Sequence, residues 1–402
     1  FPWVRVACQA ALGSVGKEAV PALIDTVENQ TGGPRIRAAF ILGGIGPDAK
    51  EAVPALLRVM EQESPVMQVR FRGILSQIAP ERFPPKSAVS KATFDATEAG
   101  EAATLDVAGS SDWPQFHGPR RDSLCSDSGL LAKWPESGPP HLWTLEGLGR
   151  GYSTVSIAGD ALYTMGDLAA DDGEEAQFVL AYHLPTRKPL WATRIGPPHS
   201  DGGPRCTPTV DGDFVYAIGT ESDVVCLHAR TGELQWKVNL AERFDGKMMS
   251  VWKYSESPLI DGDRLICTPG GPQATMVALN KRTGATIWKC AAPEIGRDGA
   301  DGAGYSSAIA ATICDVRQYV QVYGRGVIGV EAATGKFLWG YNHVANNIAN
   351  ITMPVVRGNY VFATTAYSTG AVLLRIARDG GDWEAQEVYF LTGRDFQNHH
   401  GG

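Results

Sequence analysis

A short phrase ending in tryptophan returns five times along the second half of this chain, at nearly constant spacing. Each copy has a short apolar run, a polar turn that usually reads Thr-Gly, and then the Trp. The copies occupy residues 181–191, 226–236, 278–288, 329–339 and, in degenerate form, 378–383. The steps between the tryptophans are 45, 52, 51 and 44 residues, and Trp143 lies 48 residues before Trp191. A fixed period of this size with β-type composition predicts a β-propeller of four-stranded blades.

The residues of the phrase have physical reasons. The Gly supplies positive φ in the turn, and the Thr hydroxyl can bond to the turn backbone. The Trp brings the largest apolar surface available, and its indole N–H needs one acceptor when buried. We therefore expect a structural docking role between blades for five tryptophans: Trp143, Trp191, Trp236, Trp288 and Trp339.

Residues 1–80 have a different pattern. The stretch 4–16 is echoed at 36–46 and again at 69–79, and Ala-Val-Pro-Ala-Leu occurs at 19–23 and 52–56. Apolar residues at helical spacing, with Gly ending each first helix and Pro opening the second, predict paired antiparallel helices. These units resemble HEAT-type repeats, which usually offer a surface to a protein partner. A packing or capping element for the propeller is the alternative.

The remaining organisation follows from composition. Residues 81–111 lack apolar periodicity and are expected to form a flexible linker, and 112–402 are expected to form the propeller. Glycine-containing hairpin turns recur at the same phase of each repeat, at residues 159–160, 211–213, 261–263 and 357–359. We expect about six of seven or eight blades, with the chain cut at its carboxyl end. The first residue is Phe1 and the first Met is Met60, so we also expect a cut amino end.

Bulk properties exclude several classes. The net charge of −8 argues against a nucleic-acid partner and against an anionic membrane surface. No apolar run approaches the roughly 20 residues of a membrane span. The seven cysteines include no Cys-x-x-Cys and no adjacent pair, so zinc and thiol–disulfide redox sites are not indicated. Single buried thiols are the simplest interpretation, with a disulfide from Cys206 to another blade left open.

The repeated phrase resembles the tryptophan-docking repeat of pyrroloquinoline-quinone (PQQ) type propellers. The resemblance covers residues 112–402 and includes the opening segment 112–122, Gly151–Thr154, Tyr254–Pro258, Gly304–Ser307 and Asn398–Gly402. That family holds eight-bladed quinoprotein alcohol dehydrogenases and cofactor-less relatives, among them outer-membrane-assembly lipoproteins. The dehydrogenases carry a vicinal disulfide and a calcium site. This sequence has no Cys-Cys pair and no match to the calcium ligands, so we expect no cofactor, with PQQ and calcium as the alternative.

Candidate ligand residues follow from the blade alignment. The loops that precede inner strands converge on one mouth of a propeller channel. They carry Tyr152, Arg205, Tyr254, Ser255, Tyr305, Ser306, Thr352, His399 and His400. Converging polar groups over an apolar floor are what a ligand site requires. The alternative is that these Tyr and Ser side chains bond the neighbouring turns from blade to blade.

Two further stretches carry residue types that can bind a metal. The pair His399-His400 offers imidazoles for a metal, but adjacent residues of a strand point to opposite faces, and we expect no metal site. The stretch 296–304 is rich in Gly and Asp but lacks the spacing of a calcium loop, so we interpret it as a surface loop. No nucleophile–base motif appears, and the catalytic residues, if any, are not identified.

The leading hypothesis is a non-catalytic protein-interaction or ligand-binding propeller with HEAT-like repeats. By resemblance it is bacterial and lies outside the cytoplasm, in the periplasm or cell envelope. A divergent PQQ-dependent dehydrogenase, with Arg205 holding a quinone carboxylate, is the second hypothesis. A carbohydrate-binding propeller using Tyr152 or Tyr305 is the third.

Overall fold

The structure, a computed structural model, describes residues 16–31, 33–62, 65–83, 112–129, 131–136 and 138–399. The described residues fall into two compact units, one within residues 1–88 and the other within 89–402. The linker predicted at 81–111 lies almost wholly outside the described residues. Among the described residues, no helix is both long and apolar enough to traverse a bilayer.

The first unit is helical. Its α-helices are α1 Val20–Asn29, α2 Gly33–Ile45, α3 Val53–Glu61 and α4 Pro65–Ile78, with 3-10 turns at Gly16–Ala19 and Gly46–Ala52. The prolines predicted to open the second helices, Pro21 and Pro54, lie in the first turns of α1 and α3. Gly46 has φ +70°, so the residue that follows α2 adopts the left-handed conformation that ends a helix.

The helices pack as the periodicity predicted. Leu42 and Leu75, which hold the same position in two repeats, are fully buried together with Leu56 and Phe71. Gly43 lets α2 lie close to α4. A Cβ at this position would lie 3.3 Å from Ile74 and 2.5 Å from the Gln77 amide oxygen. The first helix predicted for the earliest repeat, with Leu12, lies outside the described residues.

The second unit contains five antiparallel sheets of four strands, each strand paired with its neighbour in sequence. We number the sheets as blades 1 to 5. The strands of blades 1 and 2 are β1 Ser156–Ala158, β2 Ala161–Ala169, β3 Glu175–His183, β4 Lys188–Gly196, β5 Thr209–Asp211, β6 Phe214–Ile218, β7 Asp223–His228 and β8 Leu234–Asn239. A short helix, α5 Leu240–Phe244, follows β8.

Blades 3 to 5 repeat the plan. Their strands are β9 Leu259–Asp261, β10 Arg264–Cys267, β11 Met276–Asn280, β12 Thr286–Cys290, β13 Ile309–Ile313, β14 Val316–Tyr323, β15 Gly326–Glu331, β16 Phe337–Tyr341, β17 Val355–Arg357, β18 Tyr360–Thr365, β19 Gly370–Asp379 and β20 Asp382–Thr392. The first strand of blade 1 contacts that of blade 2, which contacts that of blade 3, so the first strands are innermost. This confirms the mainly β, PQQ-like propeller fold preceded by helices.

The sector around Trp143 differs from the other repeats. The described part of residues 112–155 forms isolated bridges, Trp113 with Ile157 and Arg150 with Asp167, and no strand of its own. Trp143 is half-buried under the Arg187 guanidinium, 5.9 Å from its ring centre. The described residues therefore hold five complete blades, where counting Trp143 as a sixth repeat predicted about six.

Three tryptophans dock in the same way on the next blade. The indole Nε1 of Trp191 donates to the Ala229 carbonyl at 2.9 Å, that of Trp236 to Lys281 at 2.9 Å and that of Trp288 to Ala332 at 3.1 Å. Each acceptor lies three residues before the Gly of the following Thr-Gly turn. The rings lie directly on those glycines: a Cβ on Gly232, Gly284 or Gly335 would come within 2.5–2.8 Å of the indole. All three glycines have positive φ.

Trp339 keeps its place in the repeat but docks differently. Its Nε1 donates to the Gln318 side chain at 2.7 Å, within its own blade. Two substitutions in the repeat explain this. The residue that pairs with Trp339 across the sheet is Gly329, where the other blades have Ala or Cys, so the ring can lie over the neighbouring strand of its own blade. The turn that should receive it in blade 5 is a tight Gly380-Gly381 hairpin without the Thr-Gly phrase.

The cysteines agree with the simplest interpretation. The six in the described residues are free thiols; four of them, Cys206, Cys226, Cys267 and Cys290, are buried. Cys206 therefore makes no disulfide with another described cysteine. Burial raises the pKa of the Cys206 and Cys290 thiols to about 12, which keeps them neutral and unreactive.

Candidate functional site at the propeller mouth

The loops that lead into the inner strands are joined to one another around the ring. Ser153 Oγ donates to the Cys206 carbonyl at 2.7 Å, and the Thr154 and Thr207 hydroxyls lie 2.7 Å apart. The Thr207 N–H then donates to Ser257 Oγ at 2.9 Å. These loops belong to blades 1, 2 and 3 in turn, so the hydrogen bonds run from blade to blade.

The same pattern continues through blades 4 and 5. The Ser257 N–H donates to Ser307 Oγ at 2.9 Å, Ser306 Oγ to the Thr352 carbonyl at 3.1 Å, and Thr352 Oγ1 to the Asn398 carbonyl at 3.2 Å. Ser306 and Thr352 are buried. Two of the predicted ligand residues therefore use their hydroxyls to join blades, which is the alternative that the sequence left open.

A buried polar cluster lies beneath these loops; we call it the axial cluster, formed by Arg121, Glu256, Thr268 and Gln321. The Glu256 carboxylate accepts from the Thr268 N–H at 2.7 Å, from Thr268 Oγ1 at 3.0 Å and from Gln321 Nε2 at 3.0 Å. Burial raises the pKa of Glu256 to about 7, although these hydrogen bonds and the charge of Arg121 oppose the rise. The cluster joins blades 3 and 4 through satisfied buried polar groups.

Arg121 comes from the opening segment of the propeller and ties that segment to the loops that lead into blades 3 and 4. Its guanidinium donates to the carbonyls of Ser257 at 3.1 Å and Ala308 at 3.0 Å, and also to the Pro258 carbonyl. Nε donates to the Gln115 side chain at 2.9 Å. Burial lowers the pKa of Arg121 to about 10, so the group stays charged at neutral pH. Sequence reasoning missed this residue; an Arg inside a motif that precedes the first blade was the available sign.

Above the loops lies a surface that we call the aromatic face, formed by Tyr152, Arg205, Val251, Trp252, Tyr305, Tyr367 and His399, of which Tyr305 is buried. The Arg205 guanidinium lies over the Tyr152 ring at 5.3 Å and donates to the carbonyls of Asp201 at 2.8 Å and Trp252 at 3.3 Å. Tyr152 is 65% exposed and Val251 is 76% exposed. The structure thus places the Arg205 guanidinium against the Tyr152 ring.

The second half of the aromatic face is organised by Tyr305. Its hydroxyl lies 2.7 Å from Ser250 Oγ and accepts from the Trp252 N–H at 3.2 Å, and the two aromatic rings meet edge to face at 5.9 Å. His399 packs against Tyr367 with ring centres 4.9 Å apart. Apolar side chains from Met249, Ile348 and Ile351 lie beneath them.

The other predicted residues lie elsewhere or beyond the described chain. Tyr254 is buried, and its hydroxyl donates to the Pro269 carbonyl at 2.8 Å, so burial raises its pKa and it has a packing role. Ser255 donates to the Lys253 carbonyl at 3.3 Å. His400 lies outside the described residues. Within the described residues, no three His, Cys, Asp or Glu side chains gather as a metal site.

The guanidiniums of Arg121 and Arg205, the two that could hold a quinone carboxylate, are already engaged by the protein. Such a ligand needs a cation with free donors, and Arg121 already donates to three backbone carbonyls and to Gln115. Arg205 donates to Asp201 and Trp252. Neither guanidinium therefore has its planar fork available for a bidentate carboxylate contact.

Comparisons with known proteins agree with this architecture. A family model described as outer membrane protein assembly factor BamB matches residues 175–397, more than half of the chain. A model described as PBS lyase HEAT-like repeat matches residues 34–62. No curated protein sequence matches the chain.

Solved structures with a similar fold include BamB from Moraxella catarrhalis, with 17% identity, 59% of this chain and 60% of that chain covered, and a TM-score of 0.37. Quinohemoprotein alcohol dehydrogenase from Comamonas testosteroni has 14% identity, 70% and 49% coverage, and a TM-score of 0.45. The europium-containing methanol dehydrogenase has 12% identity, 60% and 51% coverage, and a TM-score of 0.41. The chain therefore spans about half to three-fifths of the length of these proteins.

Proposed function

This chain belongs to the family described as outer membrane protein assembly factor BamB, and we propose that it is a non-catalytic, protein-binding propeller acting outside the cytoplasm. The observation that supports this most is the aromatic face. It combines an exposed Tyr with a stacked Arg and a Trp, residue types enriched where proteins bind one another, and it places the exposed Val251 beside them.

The arrangement of that face suits binding better than chemistry. Arg205 and Tyr305 are held by hydrogen bonds to backbone groups, and the apolar floor beneath them is packed. A surface that is already rigid loses little conformational entropy when a partner binds. Tyr152 and Val251 then offer apolar area that is exposed in the free protein.

Site-specific photo-cross-linking in the whole protein tests this proposal. A photoreactive side chain at position 251 should cross-link one envelope protein. The same group at position 388, which replaces another exposed valine, Val388 of blade 5, should not. With the purified partner, Val251→Asp should weaken binding about tenfold or more, because a charge enters an apolar contact, while Val388→Asp leaves the dissociation constant unchanged.

The two competing functions are outcomes of further tests. Dye reduction by alcohols in the presence of PQQ and calcium would refute the non-catalytic proposal. A glycan-array signal that Tyr152→Ala abolishes would instead favour carbohydrate binding. Equal cross-linking from positions 251 and 388 would remove the aromatic face as the binding surface.

A further inference from the structure

A second concave site lies between blades 3 and 4, away from the axial cluster. It is a cavity of about 650 Å³, within the range of ligand pockets. Its walls come from the turn at Gly270-Gly271, the loop 292–302 and the end of β14. Its charged lining residues are Lys247, Glu294, Arg297, Asp301 and Arg325.

The loop that forms one wall is held firmly. Arg325 Nη1 donates to the carbonyls of Arg297 and Gly299, each at 3.1 Å. Asn342 accepts from the Asp298 N–H at 2.9 Å and donates to the Asp298 and Arg325 carbonyls at 2.9 and 2.7 Å. The glycine-rich stretch that the sequence assigned to a surface loop is therefore a built cavity wall.

Glycines allow the walls to approach one another. A Cβ on Gly270 would lie 2.0 Å from the Ala303 nitrogen, and one on Gly302 would lie 2.5 Å from the Met248 carbonyl carbon. Backbone rather than flexible side chains thus sets the shape of this side of the cavity. Its geometry exists before any ligand arrives.

The charges of the cavity are not all paired. Arg325 is neutralised by Asp301, with Nε and Oδ1 2.7 Å apart. Lys247 and Arg297 line the same cavity, and within the described residues neither forms a salt bridge. The Arg325 hydrogen bond and, more weakly, the charge of Lys247 lower the pKa of Asp301. Glu294 is the single remaining carboxylate in the lining. Three cations and two anions leave a net charge of +1 in a chain whose total is −8.

We propose that this cavity binds a small hydroxylated carboxylic acid of the sugar-acid class. Lys247 and Arg297 bind the carboxylate, since a guanidinium suits a planar oxyanion. Glu294 accepts hydrogen bonds from hydroxyls and disfavours a phosphate dianion. The proline and Ile295 surfaces of the lining take the apolar face of the ring.

Isothermal titration calorimetry of the whole protein with D-glucuronate tests the assignment. We expect saturable binding that Lys247→Ala and Arg297→Ala each weaken about tenfold or more, as expected for loss of a charge-assisted hydrogen bond. Lys289→Ala is the matched control, because this exposed lysine of β12 does not line the cavity, and it should bind as the parent does. Lys247, Lys289 and Arg297 are all exposed, so each variant should melt at the same temperature as the parent protein.

Two results would overturn the assignment. Binding of glucuronate that survives the Lys247→Ala, Arg297→Ala double substitution would place the ligand elsewhere. The sugar-acid class would be excluded if inorganic phosphate bound more tightly than glucuronate. It would also be excluded if neither ligand bound with a dissociation constant below about 10 mM, which corresponds to a binding free energy of about 3 kcal/mol.

Discussion

Replacing Gly335 by Ala gives a direct test of how the blades are joined. Gly335 has φ +77°, and a Cβ there would lie 2.5 Å from Cε3 of the Trp288 ring. A left-handed Ala costs about 1–2 kcal/mol, and forcing a methyl group into a packed contact costs about 1–3 kcal/mol more. We therefore expect Gly335→Ala to lower the free energy of unfolding by about 2–5 kcal/mol.

Gly262 provides the matched control. It has φ +60° in the β9–β10 hairpin, and no atom lies within 4 Å of its Cβ position. Gly262→Ala should therefore carry the backbone cost alone, about 1–2 kcal/mol. Equilibrium denaturation by urea, followed by circular dichroism, measures both variants.

A double-mutant cycle with Trp288→Leu isolates the contact. If the indole causes the extra cost, Gly335→Ala should be milder in the Trp288→Leu background by about 1 kcal/mol or more. Equal costs for Gly335→Ala and Gly262→Ala, with no coupling to Trp288, would refute the docking argument.

Three further predictions follow from other contacts. In the same denaturation assay, Gly329→Ala should lower the free energy of unfolding by about 1–3 kcal/mol, because its Cβ would lie 2.2 Å from the Trp339 indole. Gly381→Ala is the control and should have little effect, because no atom lies within 4 Å of its Cβ position. Arg121→Met should lower the free energy of unfolding by about 3–5 kcal/mol, because it leaves three carbonyls and the buried Glu256 carboxylate without their partner. Arg120→Met, which removes an exposed side chain paired with Asp122, should cost at most about 1 kcal/mol. Equal melting temperatures of the two variants would contradict the structural role of Arg121. The pKa of Glu256 rises from 4.5 to about 7 on folding, so between these pH values the folded protein binds a proton that the unfolded chain has lost. The free energy of unfolding should therefore fall by about 3 kcal/mol as the pH rises from 4.5 to 7, and Glu256→Gln should remove this dependence. A parent protein whose stability is flat over this range would contradict the argument.

Much of the fold was predictable because the repeat records it directly. The Trp period fixed the blades, and the hairpin glycines 159, 212, 262 and 358 all have positive φ. The hairpin of blade 4 escaped notice because it uses Cys314-Asp315, two non-glycine residues with φ +47° and +62°. The Thr hydroxyls of the turns accept from the N–H two residues on, as expected.

The site was harder to predict because equivalent positions in a repeat do not face equivalent surroundings. Tyr254 and Tyr305 occupy matching places, yet one hydroxyl bonds the Pro269 carbonyl inside the fold and the other organises the aromatic face. The blade 3–4 cavity depends on contacts between residues 24 to 54 positions apart, from Arg325 with Asp301 to Met248 with Gly302. Trp339 likewise looks like its fellows in sequence and differs only because its pairing residue is Gly329 and its receiving turn is lost.

The Trp-to-turn docking has a mechanical consequence. Each of these contacts takes its indole from one blade and its acceptor turn from the next. Blades 1 to 4 are therefore joined by three equivalent contacts, whereas blade 5 is attached through other contacts, such as Tyr341 with Glu387. Removing one of these indole contacts should therefore speed hydrogen exchange in the two blades that it joins and leave exchange in blade 5 unchanged.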